Sequence, residues 1–253
     1  NNDNASEIFV LKVVQFISAF FTFLLPPILI GKFFFKNVSD YLKLNRSPAT
    51  TYYFLITLFM LAVMPTMNLI ISWNESLVFP DVLSELEASL RSSEESSKKI
   101  MQKLLTGDTY TVLLVNLIVV AVLPAFGEEF LFRGVIQKFF WNLTKNPHLG
   151  IIISAVIFSA IHFQFFGFIP RFLLGAFFGY LVYHSNSLWP AIWAHFFNNA
   201  LAVIALFMIN KGQISEDIEN LGSNGKDFNF IIIGLIAALF IGYQIFRTRG
   251  RYL

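Results

Sequence analysis

The chain has 253 residues, of which 56% are hydrophobic, 17% aromatic and only 13% Asp, Glu, Lys or Arg. Soluble domains carry about 25% charged residues, so this composition excludes an ordinary cytosolic enzyme and a disordered chain. The formal charge of +2 is too small for a phosphate-binding field, which excludes a nucleic-acid binder. The chain contains no cysteine, which excludes disulfides, a thiol nucleophile and a thiolate metal site. The sequence predicts an all-α, polytopic integral membrane protein.

Seven apolar segments approach or exceed the roughly 20 residues that a helix needs to cross a bilayer. They are residues 8–30, 52–73, 110–141, 149–166, 169–183, 188–209 and 228–246. The third would be about 48 Å long at 1.5 Å per residue, and Pro124 and Gly127 near its middle predict a kink or a break. We therefore expect one membrane domain over residues 1–253, with seven to eight transmembrane helices around an intramembrane polar cavity.

Basic residues are concentrated at one end of these segments. They lie in the 32–49 loop, the 142–148 loop and the carboxyl-terminal tail with Arg247, Arg249 and Arg251. The other end has the acidic or mixed segments 74–109 and 210–227, the latter with Glu216, Asp217 and Glu219. Cytoplasmic loops carry an excess of Lys and Arg, so the basic loops are predicted to face the cytoplasm, in a bacterial cytoplasmic membrane.

The 74–109 segment is the one long polar insertion and is predicted to be external. Leu90, Ile100, Leu104 and Leu105 lie at roughly helical spacing within it, which predicts an amphipathic helix. Three interpretations stay open for this helix: it lies on the membrane surface, it covers an entrance to the bundle, or it is a solvated loop helix.

A double glutamate interrupts the third apolar segment. Glu129 and Arg133 are four residues apart, on one helix face and in the favourable order, which suits a buried ion pair between helices. Glu128 is rotated by about 100° from Glu129, so Arg133 cannot easily pair with both. A charge at the bilayer centre costs about 2.5–3.5 kcal/mol. Glu128 is therefore a candidate general base or acid.

Two histidines and an asparagine fall on later segments. His162 follows Phe158 by four residues in the fourth segment, and a lone histidine there is either a hydrogen-bonded structural group or a functional one. His195 and Asn199 are four residues apart and share one helix face. The segment before them is short, so the turn at 184–188 is expected to dip inward, where protein or a wet cavity must surround it. Glu128, His162 and Asn199 are thereby predicted at similar depth.

Arg171 lies within that short fifth segment. It is either an interfacial arginine that snorkels towards water or a contact for a substrate carboxylate.

The three motifs Glu128-Glu129-x-x-x-Arg133, Phe158-x-x-x-His162 and His195-x-x-x-Asn199 together resemble the CPBP, or Abi, family of intramembrane endopeptidases, which is related to the type II CAAX prenyl endopeptidases. The resemblance covers about residues 110–210. It implies eight transmembrane helices around a cavity open to the cytosol. It also implies a role for each motif: Glu128 and His162 activate a water, His195 and Asn199 stabilise the oxyanion, and Arg133 holds Glu129.

The chain has no Gly-x-Ser-x-Gly and no His-Glu-x-x-His sequence, so the common serine and zinc protease signatures are missing. The resemblance implies a glutamate mechanism without cofactor, while zinc held by a glutamate and two histidines remains the alternative. The implied substrate is a membrane-associated protein or peptide, with a prenylated CAAX end as one option. The 31 phenylalanines do not specify a prenyl pocket, because they would also pack a bundle.

Two functions outside proteolysis remain open from the residues. One is a non-enzymatic scaffold or immunity protein that uses the polar cluster to hold its helices together. The other is a proton-coupled transporter, which the lack of internal repeats disfavours. The sequence does not specify the oligomeric state.

Overall fold

The computed structural model describes residues 2–215, 222–223 and 227–247, and every regular element in these ranges is a helix. Six helices of this part of the chain are long and apolar enough to cross a membrane. The predicted all-α membrane fold is therefore confirmed. Some residues that supported the predicted orientation lie outside the described ranges, namely Glu216, Asp217, Glu219, Arg249 and Arg251.

The helices are named here in chain order. They are α1 (Ser6–Phe34), α2 (Val38–Tyr41), α3 (Thr50–Glu75), α4 (Ser84–Leu105), α5 (Tyr110–Thr144), α6 (Pro147–Ala160), α7 (Phe168–Ser185), α8 (Trp189–Asn210) and α9 (Phe228–Arg247). The six long apolar helices are α1, α3, α5, α7, α8 and α9. The predicted fourth span is the shorter helix α6, whose 14 residues cover about 21 Å.

Helix α5 is continuous where the sequence predicts a kink or a break. Two π-helical segments lie within it: Leu117–Val122, which ends two residues before Pro124, and Phe132–Ile136, which begins three residues after Glu129. Pro124 has no N–H to donate to the carbonyl of residue 120, and the wider π-helical winding lets the helix continue past it. One helix therefore carries this stretch across the bundle, and the described part of α5 contains no break that would create an eighth span.

Glycines bring α5, α6 and α7 close together near the middle of the bundle. A Cβ added at Gly150 of α6 would lie 2.8 Å from the backbone N of Trp141 in α5. A Cβ at Gly175 of α7 would lie 3.3 Å from the Cα of Ala155 in α6. Small residues at helix interfaces allow this backbone approach in membrane proteins. The helices that carry the glutamates and Arg171 are thereby held against α6, the helix that leads to His162.

Loop 42–47 covers one end of the bundle, which we call the basic end. The backbone N–H of Leu188 donates to the carbonyl of Lys43 at 3.2 Å. The Ser187 hydroxyl donates to the carbonyl of Arg46 at 2.6 Å, and the Trp189 indole N–H donates to that of Leu44 at 2.9 Å. Ser187 and Leu188 are almost completely buried. The turn between α7 and α8 is thus buried under loop 42–47, whose backbone carbonyls accept its hydrogen bonds. The short fifth segment on which the predicted inward turn rested is corrected, because the apolar helix over Phe165–Ser185 is long enough to cross a membrane.

Helix α4 packs on the opposite end, which we call the insertion end. Asn74, at the end of α3, is buried; its Oδ1 accepts from the N–H of Ile169 at 3.0 Å and its Nδ2 donates to the carbonyl of Phe165 at 3.3 Å. The Arg91 guanidinium of α4 lies 4.0 Å from the Phe166 ring centroid. The amphipathic helix predicted in the 74–109 insertion is therefore folded against the loop that joins α6 to α7.

Candidate active site

Glu129 and Arg133 form a fully buried ion pair in α5, with side chains only 0% and 1% exposed. Arg133 Nη1 donates to Glu129 Oε1 at 2.6 Å, and Arg133 Nη2 donates to the carbonyl of Gly175 in α7 at 2.9 Å. The predicted pair is present, and it joins two helices as that interpretation required.

His195 of α8 adds a third member to this pair. Its Nδ1 lies 2.8 Å from Glu129 Oε1, and its Nε2 lies 3.8 Å from Glu128 Oε2. Because a carboxylate oxygen accepts, the Nδ1 of His195 carries the proton, and Nε2 is directed to Glu128. The sequence placed Glu129 with Arg133 alone and did not predict its contact with His195. Spacing within one helix cannot reveal a partner on another.

Two phenylalanines enclose the charged groups. The Arg133 guanidinium lies 4.8 Å from the ring centroid of Phe158 and 5.3 Å from that of Phe178. The Phe178 ring stacks on the His195 imidazole at 5.4 Å, and the Phe158 ring meets the same imidazole edge-on at 6.1 Å. Cation–π contacts and the exclusion of water strengthen the ionic interactions inside. The sequence predicts Phe158 only as a motif position and does not predict the contact of Phe178.

His162 lies in a turn, not in a transmembrane helix as the predicted 149–166 segment required. Helix α6 ends at Ala160. Phe163, which follows His162 directly, has a left-handed φ of 52°, which is uncommon for a residue other than glycine. The His162 Nδ1 donates to the carbonyl of Phe158 at 2.8 Å. Its ring meets the Phe158 ring at 5.3 Å, on the same phenylalanine that contacts His195. The prediction of a helical site was wrong here because the strained turn ends α6 first.

Glu128 differs from Glu129 in lacking an arginine partner. Arg133 donates to Glu129, and among the described residues the basic side-chain nitrogen within 4.0 Å of Glu128 is His195 Nε2, at 3.8 Å. The Glu128 side chain is 14% exposed, whereas Glu129 is completely buried. The two neighbouring carboxylates therefore have different surroundings, as their rotation around α5 predicts.

The Asn199 side chain makes a hydrogen bond to α5, the helix that carries the two glutamates. Its Nδ2 donates at 3.0 Å to the carbonyl of Val120, the group that Pro124 leaves without its usual helical donor. Its Oδ1 accepts from Nδ2 of Asn198 at 3.3 Å. An amide nitrogen carries two hydrogens, so one remains for a second acceptor. The sequence did not predict that Asn199 also completes α5.

A cavity of about 880 Å³ lies beside this cluster at the insertion end. Apolar side chains of α3 and α8 form part of its wall, including Met60, Met64, Met67, Leu201 and Ala205. Glu94 and Arg91 of α4 also line the cavity, so the insertion packs beside it. Glu128, His162 and His195 are not in the lining, and Asn198, next to Asn199, is.

Arg171 lines this cavity, with its guanidinium held by neutral oxygens. It donates to the backbone carbonyl of Gln164 at 3.2 Å and to the Gln164 side-chain oxygen. Glu94 and His162 lie close enough to Arg171 to interact with it electrostatically. Burial raises the pKa of Glu94, against the opposing effect of backbone N–H groups of residues 166 and 167. Arg171 is thus a partly buried residue of the cavity wall.

A shared metal site is not assembled by the side chains of residues 6–215, 222–223 and 227–247. No group of three or more His, Asp or Glu residues in these ranges is placed to hold one ion. Glu129 and His195, two of the nearest candidates, are already bonded to each other.

Residues 110–201 match the family model described as type II CAAX prenyl endopeptidase Rce1-like. The matched stretch includes all of α5, α6 and α7 and the first part of α8, and hence every motif position from Glu128 to Asn199. The resemblance to the CPBP family is confirmed over these residues. No curated protein and no solved structure matches the chain.

Replacing Arg133 by methionine is expected to destabilise the protein by about 3–5 kcal/mol, because it leaves a buried carboxylate without its cation. The check is the free energy of unfolding of the purified protein in detergent. Lys99→Met is the matched control: Lys99 pairs with Glu95 at 3.4 Å on an exposed face of α4, where a pair contributes about 0–1 kcal/mol. Equal stability of wild type and Arg133→Met would contradict the buried pair.

Proposed function

From the match of residues 110–201 to the Rce1-like type II CAAX prenyl endopeptidases, we propose that this protein is a glutamate-dependent intramembrane endopeptidase. The observation that carries the proposal is the contrast between two adjacent carboxylates. Glu129 is paired with Arg133 and contacts His195 Nδ1, while among the described residues Glu128 has no arginine or lysine nitrogen within 4.0 Å and faces His195 Nε2. A carboxylate without an arginine partner beside a histidine suits a general base for water.

The proposed reaction starts with a water between Glu128 and His162. Glu128 takes one proton of the water while the water oxygen forms a bond to the carbonyl carbon of the scissile peptide. The C=O electron pair moves onto the carbonyl oxygen and gives a tetrahedral oxyanion. Glu128 then returns the proton to the amide nitrogen, the C–N bond breaks, and a carboxylic acid and an amine form. The acid passes its remaining proton to the amine, so the products leave as a carboxylate and an ammonium.

The oxyanion needs donors that are already in place when the charge develops. Asn199 has a free amide hydrogen beside the one bound to Val120. His195 would donate from Nε2 when it is protonated, since Glu129 then balances the charge of the imidazolium at Nδ1. His162, whose Nδ1 is bound to the Phe158 carbonyl, keeps Nε2 for the water. Each proposed role therefore uses an atom that the structure leaves available.

We propose a membrane-associated peptide or protein as the substrate, with a prenylated CAAX-like end as one candidate. The methionine-rich wall of the cavity would accept an apolar chain, because methionine side chains adapt to irregular shapes. Arg171 would bind a substrate carboxylate in place of the neutral Gln164 oxygens. A bidentate carboxylate contact is stronger than a bond to a neutral amide.

A non-enzymatic role is the second candidate. The buried network supports it, because such a network can be purely structural. Arg133, Glu129 and His195 join α5, α7 and α8 and would hold a scaffold together without any chemistry. The network does not account for Glu128. The two candidates are therefore separated by what Glu128 does.

Glu128→Gln is expected to lower cleavage at least a hundredfold, since the amide cannot take a proton from water, while the folded yield stays near wild type. The assay measures cleavage of prenylated and unprenylated membrane-tethered peptides by the detergent-solubilised protein. Glu85→Gln is the matched control, an exposed glutamate of α4 outside the cavity lining. Full cleavage by Glu128→Gln would overturn the proposal.

The same peptides test the other assignments. Cleavage that persists with a chelator supports the metal-free mechanism, and cleavage restored by added zinc supports the zinc alternative. Peptides with a free or an amidated carboxyl terminus report on Arg171: Arg171→Gln should remove any preference for the free carboxylate. A preference that survives in Arg171→Gln would place the carboxylate elsewhere.

We further propose that the protein lies in a bacterial cytoplasmic membrane with its basic end in the cytoplasm. The resemblance implies a catalytic cavity open to that side, and such an opening would lie beside loop 42–47, whereas the 880 Å³ cavity lies at the insertion end. The orientation therefore decides from which side this cavity is reached.

Single-cysteine labelling tests the orientation, because the chain has no cysteine of its own. In spheroplasts, an impermeant maleimide is expected to label Glu95→Cys at the insertion end and to label Lys145→Cys only after permeabilisation. Both positions are exposed in the structure. The reverse pattern would place the cavity beside α4 on the cytoplasmic side.

A further inference from the structure

Two lysines at the basic end are half-buried without a carboxylate partner. Lys138, near the end of α5, donates from Nζ to the carbonyl of Tyr41. Lys43, in loop 42–47, donates from Nζ to Asn186 Oδ1 at 2.5 Å. Among the described residues, no carboxylate oxygen lies within 4.0 Å of either ammonium. Their hydrogen bonds are made to neutral oxygens, so their positive charge is not balanced.

The nearest acidic residue along the chain does not compensate for this charge. Asp40 Oδ1 accepts from Nδ2 of Asn45 at 2.6 Å, within its own loop. Lys43 and Lys138 are close enough to repel each other. Burial lowers the pKa of Lys43, as expected for an ammonium that has lost water and gained no counter-charge. Partly buried charges are normally paired, so this arrangement favours an anion between the two lysines.

An exposed aromatic surface leads directly to this pair. Phe33 and Phe34, at the end of α1, are 71% and 78% exposed. The Phe35 ring stacks on the Tyr41 ring with centroids 4.1 Å apart, and Lys138 Nζ lies 4.5 Å from the Tyr41 centroid. Apolar and cationic groups therefore form one continuous surface, which matches a molecule with an apolar chain and an anionic head.

We propose that Lys43 and Lys138 bind the phosphate of an anionic phospholipid whose acyl chains lie along Phe33 and Phe34. A free phosphate would share the contacts with the two lysines but would gain nothing from the phenylalanines. Basic pockets beside transmembrane helices are recognised sites for anionic headgroups. Loop 42–47 also covers the turn before α8. A lipid bound to Lys43 would therefore stabilise the loop and the turn together. The proposal does not depend on the proteolytic function.

Native mass spectrometry of the whole protein in a neutral detergent tests this site. The protein is mixed with equimolar dioleoyl phosphatidylglycerol and dioleoyl phosphatidylcholine, and the bound lipids are counted. Lys43→Gln/Lys138→Gln is expected to bind phosphatidylglycerol about twenty-fivefold more weakly, since each lysine contributes a factor of about five. Lys99→Gln/Lys103→Gln, the same change of charge at the insertion end, should bind it like wild type.

Three results would overturn the proposal. The first is unchanged phosphatidylglycerol binding by the glutamine double variant. The second is a wild type that does not prefer phosphatidylglycerol to phosphatidylcholine. The third is displacement of the lipid by inorganic phosphate at an equal concentration, which would assign the site to a free anion. Lys43→Arg/Lys138→Arg keeps both charges and should retain binding. If the glutamine double variant fails to fold, Lys43→Gln alone is measured, with a fivefold loss expected.

Discussion

The carboxylate of Glu129 is the group on which the centre of the bundle depends. One of its oxygens accepts from Arg133 in its own helix and from His195 in α8, and Arg133 extends the connection to the carbonyl of Gly175 in α7. Replacing a buried ion pair by apolar residues is often neutral or stabilising, so stability alone does not require this arrangement. Its distinctive effect is geometric: it fixes the tautomer and direction of His195, so that Nε2 faces Glu128.

The helix that carries both glutamates is shaped by irregularities in its own winding. The two π-helical segments of α5 flank the double glutamate, and a neighbouring helix donates to a carbonyl in each of them. Asn199 donates to Val120 in the first, and Ser154 donates to Phe132 at 3.1 Å in the second. Segments of this kind are frequent at functional sites. The site and the distortion of its helix are therefore built by the same contacts.

The sequence predicts those features that depend on one segment at a time. The long apolar runs identify the spans, and the four-residue spacing identifies the Glu129–Arg133 pair, because both follow from helix geometry. The sequence does not predict the contact of Glu129 with His195, the enclosure by Phe178 or the second role of Asn199, since each is a contact between helices. It also extends the fourth span past His162, because apolar composition does not reveal the left-handed turn at Phe163 that ends α6.

Under the proposed function, Glu129 positions His195 for peptide hydrolysis in addition to joining the helices of the bundle. The most direct measurement is kcat and KM for Glu129→Gln, on a peptide that the wild type cleaves, with unfolding measured on the same preparation. An amide in place of the carboxylate no longer balances a positive imidazole, so kcat is expected to fall by about 10–100-fold with KM nearly unchanged. A folded Glu129→Gln protein with wild-type kcat would contradict the account.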